Sequence, residues 1–365
     1  MQALNPNIQL QEKYEDPEGY DVDTSLGEYP IDTVLIRNET RTVFEVLRRI
    51  EKGGYVMDPD YQRDFIWSED KQSKLIESVL MRIPLPVFYF AENENGQNIV
   101  VDGLQRIFTF ERFVNNKFKL KLPGQQFLNG KRFCDLVPKL QNRIEDCSLT
   151  LYIIDSKVHP RVQLDIFERV NSGAPLTRQQ MRNCLYMGTG TRLIKKLANR
   201  QEFIDATGGS LDPNSMRDRE FINRFCAFSL FGSEDYRGDM HSYLVNALIK
   251  MNTMSEKDVQ KLETSFCHSM ENNLNIFQKH AFRKSAFSGT DRSVINASIW
   301  DVMSTELSNY SADEIELKKS ELLLRFKNLY LDPDFITSTT LGTNQENRVK
   351  QRFEMTKKIF REVMT

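Results

Sequence analysis

The run Val101-Asp102-Gly103-Leu104-Gln105-Arg106 brings together residue types that handle phosphate. Ile99 to Val101 is apolar and strand-like, and QRIFTFERFV continues with Ile107, Phe110, Phe113 and Val114 at helical spacing, so a strand should give way to a helix at Gly103. At such a junction the first helical N–H groups lack partners and the macrodipole is positive. An anion can dock there, and a glycine lets backbone approach it closely. Arg106, in the first turn, adds a planar fork of donors suited to phosphate oxygens. Asp102, at the end of the strand, could hold a magnesium ion or orient an attacking water. A plainer reading uses the same residues: Gly103 only turns the chain, Asp102 only caps the helix, and Arg106 lies on the surface.

Two further segments carry candidates. In Asp58-Pro59-Asp60-Tyr61-Gln62-Arg63-Asp64-Phe65-Ile66-Trp67, Pro59 imposes extended backbone before Tyr61 and Trp67, which either stack a base or plug the domain edge. Arg63 is a second phosphate candidate. In Phe167-Glu168-Arg169-Val170-Asn171-Ser172-Gly173 a helix ends in a polar loop that either closes over a ligand or simply caps the helix with Asn and Gly. The usual catalytic signatures are missing: no G-x-x-x-x-G-K-[ST], no H-E-x-x-H, no EF-hand loop. GTGTR at 188 to 192 reads as a glycine-containing turn, and the four histidines are scattered.

The elements that must position these residues alternate up to about residue 185. Thr42 to Glu51 reads as a helix, and Lys71 to Arg82 puts Leu75, Ile76, Val79 and Leu80 on one helical face. Pro84 and Pro86 stop that helix before the strand VFYFA at 87 to 91, which pairs with Ile99 to Val101 as a hairpin. LTLYII at 149 to 154 is another strand, followed by a helix from about Arg161 to Val170. Thr177 with Gln180 makes a capping box for RQQMRNCLYM. Beyond residue 185 the amphipathic stretches at 219 to 231, 241 to 250, 256 to 279, 293 to 306, 312 to 329 and 344 to 363 are all helical, the last two with S/T-x-x-E starts at Ser311/Glu314 and Thr343/Glu346. The fold class is thus α+β with a small sheet, followed by an all-helical module.

The 365 residues carry a formal charge of −2, which is a sum over unlike regions. Glu12, Glu15, Asp16, Glu18, Asp21, Asp23 and Glu28 face Lys13 alone in residues 1–30, an acidic arm or strap. Residues 112 to 143 hold eight Lys/Arg against Asp135, and 178 to 200 hold six with no acid; such runs suit nucleic-acid phosphates, or form a solvated face. No apolar run is long enough to span a membrane, and the N-terminus has no signal-peptide order. The five cysteines are scattered without a C-x-x-C pair, which points to reduced thiols in a cytoplasm and makes the sequons at Asn38 and Asn296 chance matches.

In order and separation, YQRDFIW, KLIESVLMRIPLPVFYF, VVDGLQRIFTFERF and IFERVNSGAPLTRQQMRN resemble the N-terminal domain of GmrSD-type restriction enzymes, over about residues 35 to 185. More loosely, AFRKS at 281 to 285, the Asn296 region and FITSTTLGTNQENRVKQRF at 335 to 353 are similar to the helical half of stand-alone members. The resemblance implies a ParB/sulfiredoxin-like fold with a D-G-Q-Q-R signature, and binding and hydrolysis of a nucleoside triphosphate in prokaryotic defence against phage or foreign DNA. It assigns Asp102, Gly103, Gln105 and Arg106 to the signature site, Gln62 and Arg63 to its lining and Asn171 to its mouth. Leu104 replaces the first Gln of the signature, which removes a hydrogen-bonding amide and bears on rate or nucleotide choice.

The domains expected are an acidic arm (1–30), a ParB-like nucleotide-binding domain (31–187) and a helical domain (188–365). Asp102, Gln105 and Arg106 are the catalytic candidates, with Asp102 as ligand to magnesium. Gln62, Arg63, Gly103, Arg106 and Asn171 are the nucleotide-binding candidates. DNA is the expected macromolecular partner. No His-metal nuclease motif is found, so a nuclease subunit would be a further partner; self-association is left open. Two other functions stand beside the NTPase: a non-catalytic DNA-binding or assembly module with a structural or nucleotide-gated pocket, and a ParB-like domain that itself nicks DNA.

Overall fold

A computed structural model describes residues 36–57, 67–93, 96–158, 162–163, 166, 177–287 and 291–364. They divide into two compact units that meet in sequence between Leu185 and Tyr186.

The first unit is built on a mixed sheet of β1 (Ile36–Thr42), β2 (Tyr55–Val56), β3 (Phe88–Glu92), β4 (Asn98–Asp102) and β5 (Ser148–Ile154), in the order β1-β5-β3-β4-β2. β1 is antiparallel to β5, with Ile36 opposite Ile154. β5 and β3 are parallel, with Phe88 opposite Leu151; β3 and β4 make the expected antiparallel pair; and β2 lies parallel to β4. The period of two decides what each strand buries. Phe88, Phe90, Val100, Leu149, Leu151 and Ile153 enter one core, while Ala91, Val101 and Ile154 pack the other way, against Val158 and Met181.

Among the described residues, this unit includes the α-helices α1 (Val43–Glu51), α2 (Glu69–Leu80), α3 (Leu104–Val114), α4 (Pro138–Glu145) and α5 (Arg178–Leu185). The apolar faces read from periodicity are buried: Leu75, Ile76, Val79 and Leu80 on α2, and Ile107, Phe110 and Phe113 on α3. Thr42 and Glu45 cap α1 reciprocally, and Thr177 and Gln180 exchange the same two bonds ahead of α5, at 2.7 and 3.2 Å. β1 was not foreseen. Its residues, IRNETRT, are mostly exposed, so it has no apolar alternation to read; its backbone pairing to β5 makes it a strand.

The second unit is helical: α6 (Thr189–Ala198), α7 (Gln201–Thr207), α8 (Arg217–Phe231), α9 (Met240–Asn252), α10 (Glu256–Phe277), α11 (Ala297–Leu307), α12 (Ala312–Leu331), α13 (Pro333–Ser338) and α14 (Glu346–Val363). The expected helical module is therefore present, with α6, α7 and α13 in addition. Trp300 sits at full burial among Phe203, Phe221 and Phe282 and donates its indole N–H to the Phe221 carbonyl at 2.7 Å. A fully buried ionic group lies beside it. Asp301 accepts two bonds from Arg224, at 2.8 and 2.7 Å, and one from Arg352 at 2.8 Å.

Two local readings need correction. GTGTR is the start of α6, not a free turn: Leu193, Ile194 and Leu197 pull the segment into the core. Its glycines serve close approach, since a Cβ on Gly188 would lie 2.2 Å from the Asn252 side-chain oxygen, which itself accepts the Gly190 N–H at 2.9 Å. Thr343 with Glu346 does not box the last helix. Gln345 is its N-cap, without a side-chain bond, and the Thr343 carbonyl is taken by Arg352.

Candidate functional site

Gly103 is the joint between β4 and α3. It has φ 97°, and a Cβ there would lie 2.3 Å from Cδ1 and 2.8 Å from Cε1 of Phe88, so glycine is required on both conformational and steric grounds. Having no side chain, it offers no cap to α3. The opening N–H groups of that helix are left to be satisfied from outside its own sequence, at the positive end of the dipole.

Asp102 stands at this joint with its side chain 31% exposed, and Arg106 one turn on with its side chain 10% exposed. Arg106 Nη2 donates to Asp102 Oδ2 at 2.6 Å and to the Val87 carbonyl at 3.1 Å; Nη1 donates to the Pro86 carbonyl. The guanidinium carbon lies 4.2 Å from the centroid of the Phe88 ring. The fork thus fixes the carboxylate and ties the start of α3 to the segment entering β3. Burial raises the Asp102 carboxyl above its usual range, against the opposing pull of the Arg106 charge and the Gly103 N–H. Burial likewise lowers the Arg106 guanidinium, with Asp102 opposing. The carboxylate is held in one place yet partly desolvated and still open to solvent, as a group that binds a cation or takes a proton needs to be.

Gln105 points elsewhere. Its side-chain oxygen accepts the Trp67 N–H at 3.0 Å, and Gln72 donates to the Trp67 carbonyl. α3 therefore grips Trp67, the last residue of the segment from Asp58 to Trp67. Gln62 and Arg63 in that segment, and Asn171, lie outside the described residues. Leu104 is half-buried against the core of the sheet.

Sequence reasoning missed Phe88, the Pro86 and Val87 carbonyls, and Tyr89, which pairs across the sheet with Asp102 and lies 5.5 Å from the Tyr152 ring. PLPVFYF signals only an apolar strand, and nothing in it announces that two of its carbonyls hold an arginine. A cleft of about 470 Å³ in this unit lies apart from these residues, lined by Arg82, Pro84, Lys139 and Arg143 among others. Of the first basic stretch, Lys117 pairs with Glu111 and Lys121 with Glu69, both at 2.7 Å, whereas Lys119, Arg132 and Lys139 are exposed. Among the described residues no three His, Cys, Asp or Glu side chains converge on a metal position. Asp102 could hold magnesium only together with water and a ligand's own oxygens, the usual manner for that ion.

Residues 43–187 match the family model described as GmrSD restriction endonuclease, N-terminal domain. That segment is a GmrSD-type domain. No curated protein and no solved structure matches the chain. The GmrSD-type domain takes in all of the first unit from α1 onward, including the Asp102–Arg106 joint. Among the described residues no helix is long and apolar enough to cross a membrane.

Proposed function

We propose that the GmrSD-type domain binds and hydrolyses a nucleoside triphosphate as part of a prokaryotic restriction or anti-phage system acting on or near DNA. The restriction context comes with the family. The observation that carries the nucleotide reading is the uncapped start of α3 behind Gly103, with a carboxylate locked at its edge by Arg106. Backbone N–H groups there hold phosphate oxygens. Asp102 orients a water or completes the shell of a magnesium ion, which when bound neutralises phosphate charge. Arg106 sets the carboxylate's position, and Gln105 holds Trp67, which follows in sequence the segment carrying the further nucleotide-binding candidates Gln62 and Arg63. Hydrolysis of this kind rests on positioning and charge stabilisation, so few residues suffice.

Phosphate release from ATP, GTP, CTP and UTP, each with and without DNA, tests this on the full chain. Release from at least one nucleotide, lost in Asp102→Asn, is expected. No release under any condition, or an unchanged rate in that variant, overturns it. The engagement of Arg106 by Asp102 and two carbonyls favours one other reading, a nucleotide-gated module without turnover. Nucleotide binding without phosphate release, with steep salt dependence of DNA binding, is its signature.

A further inference from the structure

The helical unit contains a cleft of about 690 Å³, within the range of small-molecule sites. Leu230, Met254 and Leu262 line its apolar part, over the buried Phe228 and Phe353 rings, whose centroids are 4.8 Å apart. Glu306 also lines it. This residue is only 8% exposed, and among the described residues its carboxylate has neither a hydrogen bond nor an ion pair. It sits in the last turn of α11, where the helix dipole also opposes a negative charge and the turn itself holds no basic residue. Next to it, the buried Thr305 hydroxyl has no hydrogen-bond partner. Burial pushes the Glu306 carboxyl up to about 7, with Lys357 and Arg361 opposing the shift and Glu234 and Glu354 adding to it. Lys357 is itself held by Glu234 at 2.7 Å.

An unpaired buried carboxyl costs stability, and packing alone gives no reason to keep one. A ligand with an N–H or amino edge would satisfy it, and Thr305 offers a second hydrogen bond beside it. Lys250 and Lys261, exposed on the same cleft and without ion pairs among the described residues, suit an anion. We propose that this cleft binds a nucleotide unit, its base edge on Glu306 and Thr305 and its phosphate near Lys250 and Lys261. The unit is either a free mononucleotide or the end of a strand. The site is independent of the Asp102 joint and does not rest on the NTPase reading.

Calorimetric titration of the full chain with dAMP, dGMP, dCMP and dTMP, and with a single-stranded tetranucleotide, tests it. Saturable binding of at least one probe is expected. dTMP should be weakest, because thymine presents a single N–H and no amino group. The Lys250→Ala/Lys261→Ala pair should weaken binding about tenfold or more. Glu306→Gln should change the order of preference among bases without loss of fold, and Asp102→Asn should leave binding unchanged. Binding of mononucleotides identifies a free ligand, and binding of the tetranucleotide alone a strand end. No saturable binding of any probe, or binding indifferent to both the Glu306 and the lysine substitutions, overturns the proposal.

Discussion

At Gly103 a single missing Cβ decides whether the strand-to-helix joint can exist. Alanine there would have to hold φ near 97° and would press on the Phe88 ring at 2.3 Å. Backbone strain of 1–2 kcal/mol and overpacking of similar size add to a cost of about 3 kcal/mol, read by denaturant unfolding of Gly103→Ala. A loss below about 1 kcal/mol would mean that the joint relaxes freely. Arg106 makes a sharper case. Its deletion leaves two carbonyls and a partly buried carboxylate without their donor, so Arg106→Ala should lose about 3 kcal/mol as well as any turnover. Arg106→Lys keeps the charge but not the fork; folded protein without turnover in that variant would separate positioning from stability. Asp102, Gly103 and Arg106 were legible as a group because their types and spacing are local. That Arg106 faces inward was not, because its partners come from Pro86 and Val87, whose side chains carry no such signal.

Elements with their own punctuation were the readable ones. Ser311 and Glu314 start α12 as a capping box, and the proline stop before β3 and the alternation of β5 are where expected. What escaped is held by tertiary context: the exposed edge strand β1, and α6, whose two glycines pack against Asn252. Two polar residues of the later segments are structural ties within the helical unit. Asn296 caps α11 and reaches the Thr339 carbonyl at 3.1 Å, and Arg352 bonds Asp301. The end of α11 carries a prediction of its own. Glu306 titrates near 4.5 in the unfolded chain and near 7 in the fold, so between these values the folded form binds more protons. Its contribution therefore becomes less favourable as pH rises from about 4.5 to 7 and is constant above that, by about 3 kcal/mol in all. Glu306→Gln should remove this slope. The variant should be more stable than the parent at pH 8, and the gain should shrink toward pH 5, as followed by thermal unfolding at both. Equal gains at the two pH values would place the effect elsewhere.

Across the whole chain, the near-neutral sum of charges conceals a division that bears on DNA. Seven acids stand against one lysine in residues 1–30, and the remainder carries a net +4. The structure sharpens which cations remain available. Lys117, Lys121 and Lys196 are spent on Glu111, Glu69 and Glu263, so the two basic runs offer less than their counts suggest; Lys119, Arg132 and Lys139 remain exposed. An acidic arm competes with phosphate for such groups, because both displace the same counterions. Removal of residues 1–30 should therefore tighten DNA binding, with a steeper decline of log affinity against log salt as more phosphate contacts become available. Lys139→Ala in the shortened chain should reduce that slope by about 1. Fluorescence anisotropy on one duplex over a salt series reads both effects. Equal affinity with and without residues 1–30 at low salt, where any masking by charge is strongest, would show that the acids do not shield the basic face.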